Sequence, residues 1–393
     1  MPSFDQPDTA STTFRPFGRG ARGEKVSVVR ARLIGLRLLA ESQAPGATAG
    51  EDTYDADVEL GVRQFQQARG LIVDGIIGPE TFRALEEARW RLGDRVLFYS
   101  PGRSMAGDDV AALQRRLLEL GFDCGKPDGV FGGQTSAALR DFQRNTGLST
   151  DGTCGPSTFK ALSRLVRTVV GGRAHAMRES ARLYRNGHQH TGRLIVIDPG
   201  HGPTEPGKTW DGLTEADLVF DIATRLEGRL TALGVQAFLT RGHDRDADDR
   251  ARAAFANEAD ADLVVSLHVD AHANAAATGA AAFFYGNPVT GQHSAYGEQF
   301  AGLVQKELVA RTDLRDCGVH AKTWDLLRMT RMPAVRAEVG YLTNPGDRER
   351  LRRFQFRDTV AEAVCAAVQR LFLPPDDDAP TGTLDIPAII AGG

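Results

Sequence analysis

The first half of the chain contains an internal repeat. Five short blocks recur 77 positions further along in the same order, and an upstream apolar stripe recurs 84 positions further along. The blocks are Phe65 with Gln66, Gly70 with Leu71, Asp74 with Gly75, Gly78 with Pro79 and Thr81 with Phe82, matched by Phe142 with Gln143, Gly147 with Leu148, Asp151 with Gly152, Gly155 with Pro156 and Thr158 with Phe159. The seven extra residues of the first copy fit the loop 42–52. The same small fold is therefore predicted twice.

Each copy has the pattern of a compact three-helix unit. Its apolar residues are spaced by three and four positions, as in amphipathic helices, and Gly and Asp-Gly turns separate them. We interpret the Gly and Phe residues of the matched blocks as turn and core residues and not as ligand contacts. The run 128–162, DGVFGGQTSAALRDFQRNTGLSTDGTCGPSTFKAL, resembles the peptidoglycan-binding domain found beside many wall hydrolases. This resemblance implies that the pair binds peptidoglycan.

Length and charge limit the remaining possibilities. A chain of 393 residues is expected to form two to four domains. Its net charge of −4 argues against general nucleic-acid binding, which needs an excess of cations. The N-terminus has no apolar signal segment, and no stretch approaches the ~20 apolar residues of a membrane span. We therefore expect a cytoplasmic protein, with export by a non-classical route as the alternative. The four cysteines are expected to be free thiols.

The second half alternates between strand and helix patterns. Apolar, β-branched runs predict strands at 193–198, 235–240, 263–267, 280–285 and 334–339, and apolar stripes predict helices at 216–232, 294–310 and 356–372. The predicted fold class is two small all-α three-helix domains followed by an α/β domain with a mostly parallel twisted sheet. The predicted boundaries are a flexible N-terminus at 1–24, domains at 25–92 and 106–168, a linker at 169–191, the α/β domain at 192–373 and a disordered acidic tail at 374–393.

Four polar residues occupy positions where such a sheet binds ligands. His201 follows the first predicted strand, His268 ends the third, Glu338 lies in the last, and Glu215 opens a helix that Thr214 can cap. Ligands bind beyond the carboxyl ends of parallel strands, so these side chains can converge. A catalytic zinc commonly takes three His or carboxylate ligands, and a further carboxylate can transfer the proton of water. The set is complete for amide hydrolysis.

Four segments in the same order carry a family resemblance. VIDPGHG, LTEADL, VSLHVDAHAN and MPAVRAEVGYLTN resemble the signatures of the zinc-dependent N-acetylmuramoyl-L-alanine amidases, over about residues 192–372. The resemblance implies Zn²⁺ as cofactor, with His201, Glu215 and His268 as ligands and Glu338 as catalytic acid–base. The chain departs from the family at Pro203, at Asp270 and at Arg336, where an aliphatic residue is usual. A charge at position 336 needs a partner or solvent.

Two further groups of residues leave alternatives open. Arg241, Arg245, Arg250 and Arg252 either recognise a peptide carboxylate or form a solvated face, and we favour the solvated face. The acidic tail is either inert or regulatory. In the regulatory case Thr381 and Thr383 are candidate phosphorylation sites, because a phosphate there could be read by a phosphothreonine-binding FHA domain.

The combination of domains and tail resembles a group of actinobacterial amidase-like proteins. Members of that group are thought to regulate peptidoglycan precursor synthesis in the cytoplasm. This implies a Ser/Thr kinase, an FHA-domain protein or a precursor-synthesis enzyme as a partner, besides peptidoglycan fragments or precursors. Two hypotheses therefore stand: a zinc amidase that cleaves the N-acetylmuramoyl-L-alanine bond, and a phosphorylation-controlled regulator with little or no hydrolase activity.

Overall fold

A computed structural model of the chain describes residues 14–40, 52–102, 104–165, 174–185, 187, 189–287 and 292–373. A helical region comes first and an α/β domain follows, which confirms the predicted fold class. Residues 42–51 of the predicted insertion loop and the tail 374–393, with Thr381 and Thr383, lie outside the described residues. The exact domain boundaries remain predictions.

Six helices form the two repeats, which we call repeat 1 and repeat 2. Repeat 1 consists of α1 (Glu24–Gly35), α2 (Ala56–Arg69) and α3 (Pro79–Ala88). Repeat 2 consists of α4 (Asp108–Glu119), α5 (Gly133–Asn145) and α6 (Pro156–Arg164). Each repeat has its own buried core, and the matched phenylalanines Phe65 and Phe142 lie fully inside these cores. The three-residue and four-residue spacing of apolar positions accounts for this packing.

A buried glutamine explains why the same blocks occur in both copies. The side-chain amide of Gln143 donates to Asp151 Oδ1 at 2.8 Å and to Thr158 Oγ1 at 3.2 Å, and its carbonyl accepts from the Gly152 amide at 2.8 Å. Gln66 makes the equivalent bonds with Asp74, Thr81 and Gly75. The Gln, Asp-Gly and Thr blocks therefore form one buried network that fixes a turn between two helices.

Replacing Gln143 with alanine is expected to destabilise repeat 2. The substitution leaves the buried Gly152 amide without an acceptor, so the free energy of unfolding should fall by about 1–3 kcal/mol. Urea unfolding, combined with hydrogen exchange of α5 and α6, measures the loss. Gln134→Ala, at an exposed position of the same helix, is the matched control and should change stability by less than about 0.5 kcal/mol. Equal stability of the two variants would contradict the role assigned to the network.

The α/β domain is built on one mixed sheet. Its strands are β1 (Leu194–Pro199), β4 (Gln236–Leu239), β5 (Leu263–Asp270), β6 (Ala280–Asn287), β7 (Gln292–His293), β8 (Asp316–Lys322) and β9 (Ala334–Tyr341), and a separate hairpin contains β2 (Thr209–Trp210) and β3 (Leu213–Thr214). The order is β4-β1-β5-β9-β6-β7, with β8 also paired to β6. β4, β1, β5 and β9 are mutually parallel, whereas β6 runs antiparallel to β9. The carboxyl ends of the four parallel strands therefore meet at one edge.

Helices cover both faces of this sheet. They are α7 (Ala174–Leu183), α8 (Glu215–Ala232), α9 (Asp249–Glu258), α10 (Ala295–Arg311), α11 (Asp325–Met329), α12 (Pro345–Arg352) and α13 (Phe354–Leu371). Ile195 and Ile197 of β1 pack in the core formed with α8, α10 and α13, and Val196 packs in the opposite core beside α9 and α11. Successive strand residues point to opposite faces, so an uninterrupted apolar strand serves both cores.

The predicted linker and the predicted flexible N-terminus both contain packed structure. The predicted linker 169–191 includes α7, where Leu183 is fully buried and Glu179 accepts hydrogen bonds from the Ser294 hydroxyl and from the Tyr296 amide. In the predicted N-terminal segment, Phe17 pairs with Ile77 and packs against the core of repeat 1. The local composition, rich in Gly, Arg and His around α7, conceals these long-range contacts.

The cysteines and the helices agree with two further predictions. None of the four cysteines, which all lie in the described part of the chain, forms a disulfide, as predicted, and Cys124, Cys154 and Cys365 are buried. Among the described helices, none has the length and apolar character required to cross a bilayer.

Candidate metal centre

Three side chains from separate parts of the chain meet at the carboxyl edge of the parallel strands. His201 lies in the turn after β1, Glu215 is the first residue of α8, and His268 lies near the end of β5. One ligand atom from each residue lies within 4.8 Å of the other two. His268 Nδ1 is 2.8 Å from Glu215 Oε1, and His201 Nε2 is 3.3 Å from Glu215 Oε2. The structure therefore brings together the three residues predicted as ligands.

Two glycines make this close approach possible. A Cβ atom at Gly200 would lie 2.2 Å from the His268 ring, and one at Gly207 would lie 2.5 Å from Glu215 Oε2. Gly207 also has a φ of +71°, a conformation that favours glycine. His201 itself has a positive φ of 57°, which is uncommon for a residue with a side chain. The loop after β1 is thus shaped around the histidine and carboxylate side chains.

The charge states of the buried residues suit a divalent cation. Burial alone would raise the pKa of Glu215, but hydrogen bonds from His201 and His268 hold it well below its usual value. Burial, assisted by Arg336, lowers the pKa of His268 to about 4. Near neutral pH the carboxylate is therefore ionised and the His268 imidazole is neutral. These are the forms that metal ligands require.

Glu338 lies beside His268 on the neighbouring strand. The two residues are register partners in the parallel β5–β9 pair, and Glu338 is buried. Its Oε1 accepts two bonds from the Arg336 guanidinium, from Nε at 2.9 Å and from Nη2 at 2.6 Å. Its Oε2 is buried and has no hydrogen-bond partner among the described residues. Arg336 thus has the partner that its charge needs, and one carboxylate oxygen is left unpaired in the interior.

The environment of Glu338 acts on its pKa in opposite directions. Burial raises the pKa of Glu338 above its usual value, and the nearby charges of Glu215 and Asp270 add to the rise, while Arg336 opposes it. The contact with Arg336 could be anticipated from the sequence, because residues two apart on a strand share one face. An unpaired buried oxygen next to a carboxylate–imidazole cluster fits a water molecule or a polar ligand atom.

A buried ionic network supports the turn that contains His201. Asp198 accepts hydrogen bonds from Arg252 at 2.5 Å, from Thr240 at 2.6 Å and from Ser266 at 2.6 Å. Arg252 also donates to the carbonyls of Pro199 at 2.7 Å and of His201 at 2.6 Å. This network fixes the backbone around the candidate ligand.

The solvated-face interpretation of the four arginines is wrong for two of them. Arg241 and Arg252 are buried, and Arg241 donates to the carbonyls of Pro199, Gly200 and Ala216. Arg245 and Arg250 are exposed as predicted. Arg241 and Arg252 are buried because the turn at 199–201 leaves carbonyl groups without backbone partners, and buried carbonyls need donors. The strand before Arg241 was predicted, but these carbonyl groups have no signature in the sequence.

Asp198→Asn is expected to lower stability in a pH-dependent way. The variant leaves the buried Arg252 without its counter-ion, which costs about 3–5 kcal/mol. Burial would raise the pKa of Asp198, but Arg252, Ser266 and Thr240 bring it below the usual value. The ionised carboxylate therefore contributes fully to the free energy of unfolding above about pH 4, the pKa of Asp in the unfolded chain. This contribution is lost as the pH falls through the lower pKa of Asp198 in the folded protein.

Denaturant unfolding at pH 7 and pH 3 measures this difference. The difference in free energy of unfolding between wild type and Asp198→Asn should be largest at pH 7 and smaller at pH 3. The control is Asp141→Asn, which removes an exposed ion pair with Arg144 and should change stability by less than about 1 kcal/mol. A difference in free energy of unfolding that increases at low pH would contradict the stabilising role assigned to the ionised Asp198.

Comparisons with known proteins agree with this architecture. Residues 195–370 match the family model described as N-acetylmuramoyl-L-alanine amidase, and residues 22–85 and 106–162 match a peptidoglycan binding domain. The N-acetylmuramoyl-L-alanine amidase CwlM of Mycobacterium tuberculosis is 46% identical over 95% of this chain and 93% of its own length.

Other relatives match less than half of this chain. The N-acetylmuramoyl-L-alanine amidase LytC of Bacillus subtilis is 31% identical over 44% of this chain and 34% of its own length. Among solved structures, an N-acetylmuramoyl-L-alanine amidase from Clostridium difficile is 28% identical, with a TM-score of 0.43, over 46% of this chain and 95% of that chain. The family match and the near full-length relative show that this chain belongs to the N-acetylmuramoyl-L-alanine amidase family.

Proposed function

We propose that this protein is a zinc-dependent amidase that hydrolyses the bond between N-acetylmuramic acid and L-alanine in peptidoglycan fragments or precursors. The observation that carries this proposal is the cluster of His201, Glu215 and His268, whose ligand atoms lie within 4.8 Å of one another. Two imidazoles and a carboxylate are a donor set typical of catalytic zinc. The 3.3 Å between His201 Nε2 and Glu215 Oε2 also suits two ligands of one ion, which lie about 3.3 Å apart in a tetrahedral zinc site.

Glu338 is proposed as the acid–base residue. A bound zinc ion would supply Lewis acidity and make water nucleophilic near neutral pH. The unpaired Oε2 of Glu338 can accept the proton of the attacking water and return it to the departing amine of L-alanine. Oε1 stays paired with Arg336 during both transfers, so the carboxylate presents the same oxygen each time.

The two repeats are proposed to bind peptidoglycan near the active site. Their match to a peptidoglycan binding domain supports this role. The shared Gln, Asp-Gly and Thr blocks are used in the buried Gln143 network and its Gln66 counterpart, so ligand contacts are expected elsewhere on the repeats. The regulatory hypothesis rests on Thr381 and Thr383, outside the described part of the chain, and hydrolysis is the function that we propose.

The test uses the full chain with a defined substrate. Protein stripped of metal by a chelator is incubated with N-acetylmuramoyl-L-alanyl-D-isoglutamine, with and without one equivalent of zinc, and mass spectrometry detects the free dipeptide. Zinc-dependent release supports the proposal. If a protein that has bound zinc releases no dipeptide from this substrate or from larger muropeptides, hydrolysis is rejected and the regulatory hypothesis is favoured.

A further inference from the structure

Residues 322–330, from the last residue of β8 to the residue after α11, contact repeat 1 through hydrogen bonds and ion pairs. The Thr323 hydroxyl donates to the Arg69 carbonyl at 2.7 Å, and Arg83 pairs with Asp325 at 2.8 Å. Arg328 pairs with both carboxylate oxygens of Glu87, at 2.8 and 3.2 Å, and both side chains are about nine-tenths buried, at 11% and 13% exposure. A two-point guanidinium–carboxylate pair fixes orientation as well as distance. We call residues 322–330 the docking segment.

Repeat 2 also contacts the docking segment, through Lys126. The Lys126 ammonium donates to the carbonyls of Leu327 at 2.6 Å and Thr330 at 3.2 Å, and it lies 4.3 Å from the ring centre of Tyr285. The repeats are also joined to each other, because Arg69 makes a two-point pair with Asp108 at 2.8 and 2.6 Å. The docking segment is therefore held by both repeats.

The docking segment also reaches the acid–base residue of the proposed mechanism. Trp324 is buried against Phe283, with ring centres 4.9 Å apart. The guanidinium carbon of Arg336 lies 4.4 Å from the centre of the Trp324 ring, within the range of a cation–π contact. The same guanidinium binds Oε1 of Glu338. A short chain of contacts thus runs from repeat 1 through Trp324 and Arg336 to Glu338.

Arg336 has other carboxylates within electrostatic reach. Burial raises the pKa of Glu80 in repeat 1 and of Asp249 at the start of α9, and Arg336 opposes the rise at both residues. A guanidinium that lies near several carboxylates must be held in one orientation if it is to pair with only one of them. The face of Trp324 lies against this guanidinium, and both repeats contact the segment to which Trp324 belongs.

We propose that the docked repeat 1 positions the active site: it holds Trp324 in place, Trp324 orients Arg336, and Arg336 fixes the carboxylate of Glu338. This inference rests on the proposed acid–base role of Glu338. Trp324 and Arg336 are then positioning residues, and repeat 1 does more than tether the enzyme to its substrate. Loosening the docking contact should lower turnover even on a substrate too small to reach from the active site to a repeat.

The experiment compares two neighbouring substitutions on α3 in the full-length, zinc-loaded protein. Glu87→Gln removes the carboxylate that Arg328 binds, whereas Glu86→Gln removes a carboxylate that pairs with Arg32 and Arg89 inside repeat 1. On N-acetylmuramoyl-L-alanyl-D-isoglutamine, Glu87→Gln should lower kcat by about ten- to a hundredfold, as expected for a misplaced catalytic group, with KM changed less than about twofold. Glu86→Gln should keep the wild-type kcat.

A second pair of variants tests the aromatic contact directly. Trp324→Leu should lower kcat in the same way, and Trp324→Phe, which keeps a ring face for Arg336, should recover most of the loss. If Glu87→Gln and Trp324→Leu fold and leave kcat on the small substrate unchanged, while cleavage of polymeric peptidoglycan falls, repeat 1 acts only in targeting and the proposal is overturned.

Hydrogen exchange gives a readout that does not depend on activity. In the metal-free protein, Glu87→Gln should increase exchange of the docking segment and of β9, residues 334–341, and Glu86→Gln should not. Unchanged exchange of β9 in Glu87→Gln overturns the positioning proposal even if the wild type is active. Increased exchange of β9 supports the positioning of Arg336 and Glu338 by repeat 1 even if the wild type cleaves nothing, in which case only the proposed hydrolysis and the acid–base role of Glu338 fail.

Discussion

Glu215→Ala is expected to abolish both zinc binding and hydrolysis. Glu215 is the central member of the cluster, since its two oxygens face His268 and His201 separately. Without the carboxylate, the cluster retains only two imidazoles, and neither ligand carries a negative charge to offset the cation. Changing residues that only support a metal ligand weakens affinity by about 10–100-fold, so the loss of a ligand should exceed about 100-fold. Dipeptide release should fall to the level of the metal-free protein.

Isothermal titration with zinc and metal analysis after gel filtration measure this loss. Wild type should retain about one equivalent of zinc, and the variant should retain almost none. Glu227→Ala is the matched control, because it removes a glutamate from the same helix about 18 Å further along its axis. Zinc should also raise the melting temperature of the wild type and of the control, but not that of Glu215→Ala. Wild-type zinc affinity in Glu215→Ala would exclude this carboxylate as a ligand.

Glu338→Gln is expected to separate metal binding from catalysis. Arg336 offers only hydrogen-bond donors, so the carbonyl oxygen of the new amide should face Arg336. Its NH₂ group then occupies the place of the unpaired Oε2 and cannot accept a proton. Zinc affinity should stay close to that of wild type, because Glu338 is not in the ligand cluster. We expect kcat to fall by about 10²–10⁴, the usual contribution of general acid–base catalysis.

Steady-state kinetics with the muramoyl dipeptide substrate measure this effect, and zinc titration of the same sample shows whether the metal site is intact. Arg353→Gln, a substitution at a surface ion pair, is a suitable control and should keep the wild-type kcat. A Glu338→Gln variant with normal zinc affinity and normal kcat would remove Glu338 from the mechanism. A variant that loses zinc as well would place Glu338 among the ligands instead.

The ligand cluster could be predicted because each member lies where a regular element begins or ends. His201 and His268 lie at or just beyond the ends of strands, and Glu215 opens a helix capped by Thr214. In a parallel sheet such positions share one edge, so residues 67 positions apart in sequence can meet. The resemblance to the amidase signatures identified the same residues, and the structure places them together.

The supporting contacts could not be predicted in the same way. Arg328 and Glu87 are 241 positions apart, and neither lies in a periodic pattern that indicates its partner. Arg252 is buried because carbonyl groups of an irregular turn require donors, and that requirement appears only in three dimensions. Local pattern thus predicts elements and their ends, whereas domain docking and ionic networks depend on the complete tertiary arrangement.

The central claim is that His201, Glu215 and His268 share one zinc ion. Crystals of the full-length protein grown with zinc, measured at energies just above and below the zinc absorption edge, test it most directly. We expect a single strong anomalous peak about 2.0–2.2 Å from one atom of each of the three side chains. A peak bound to only one of these residues, or no peak at this site in crystals that contain zinc elsewhere, would contradict the claim.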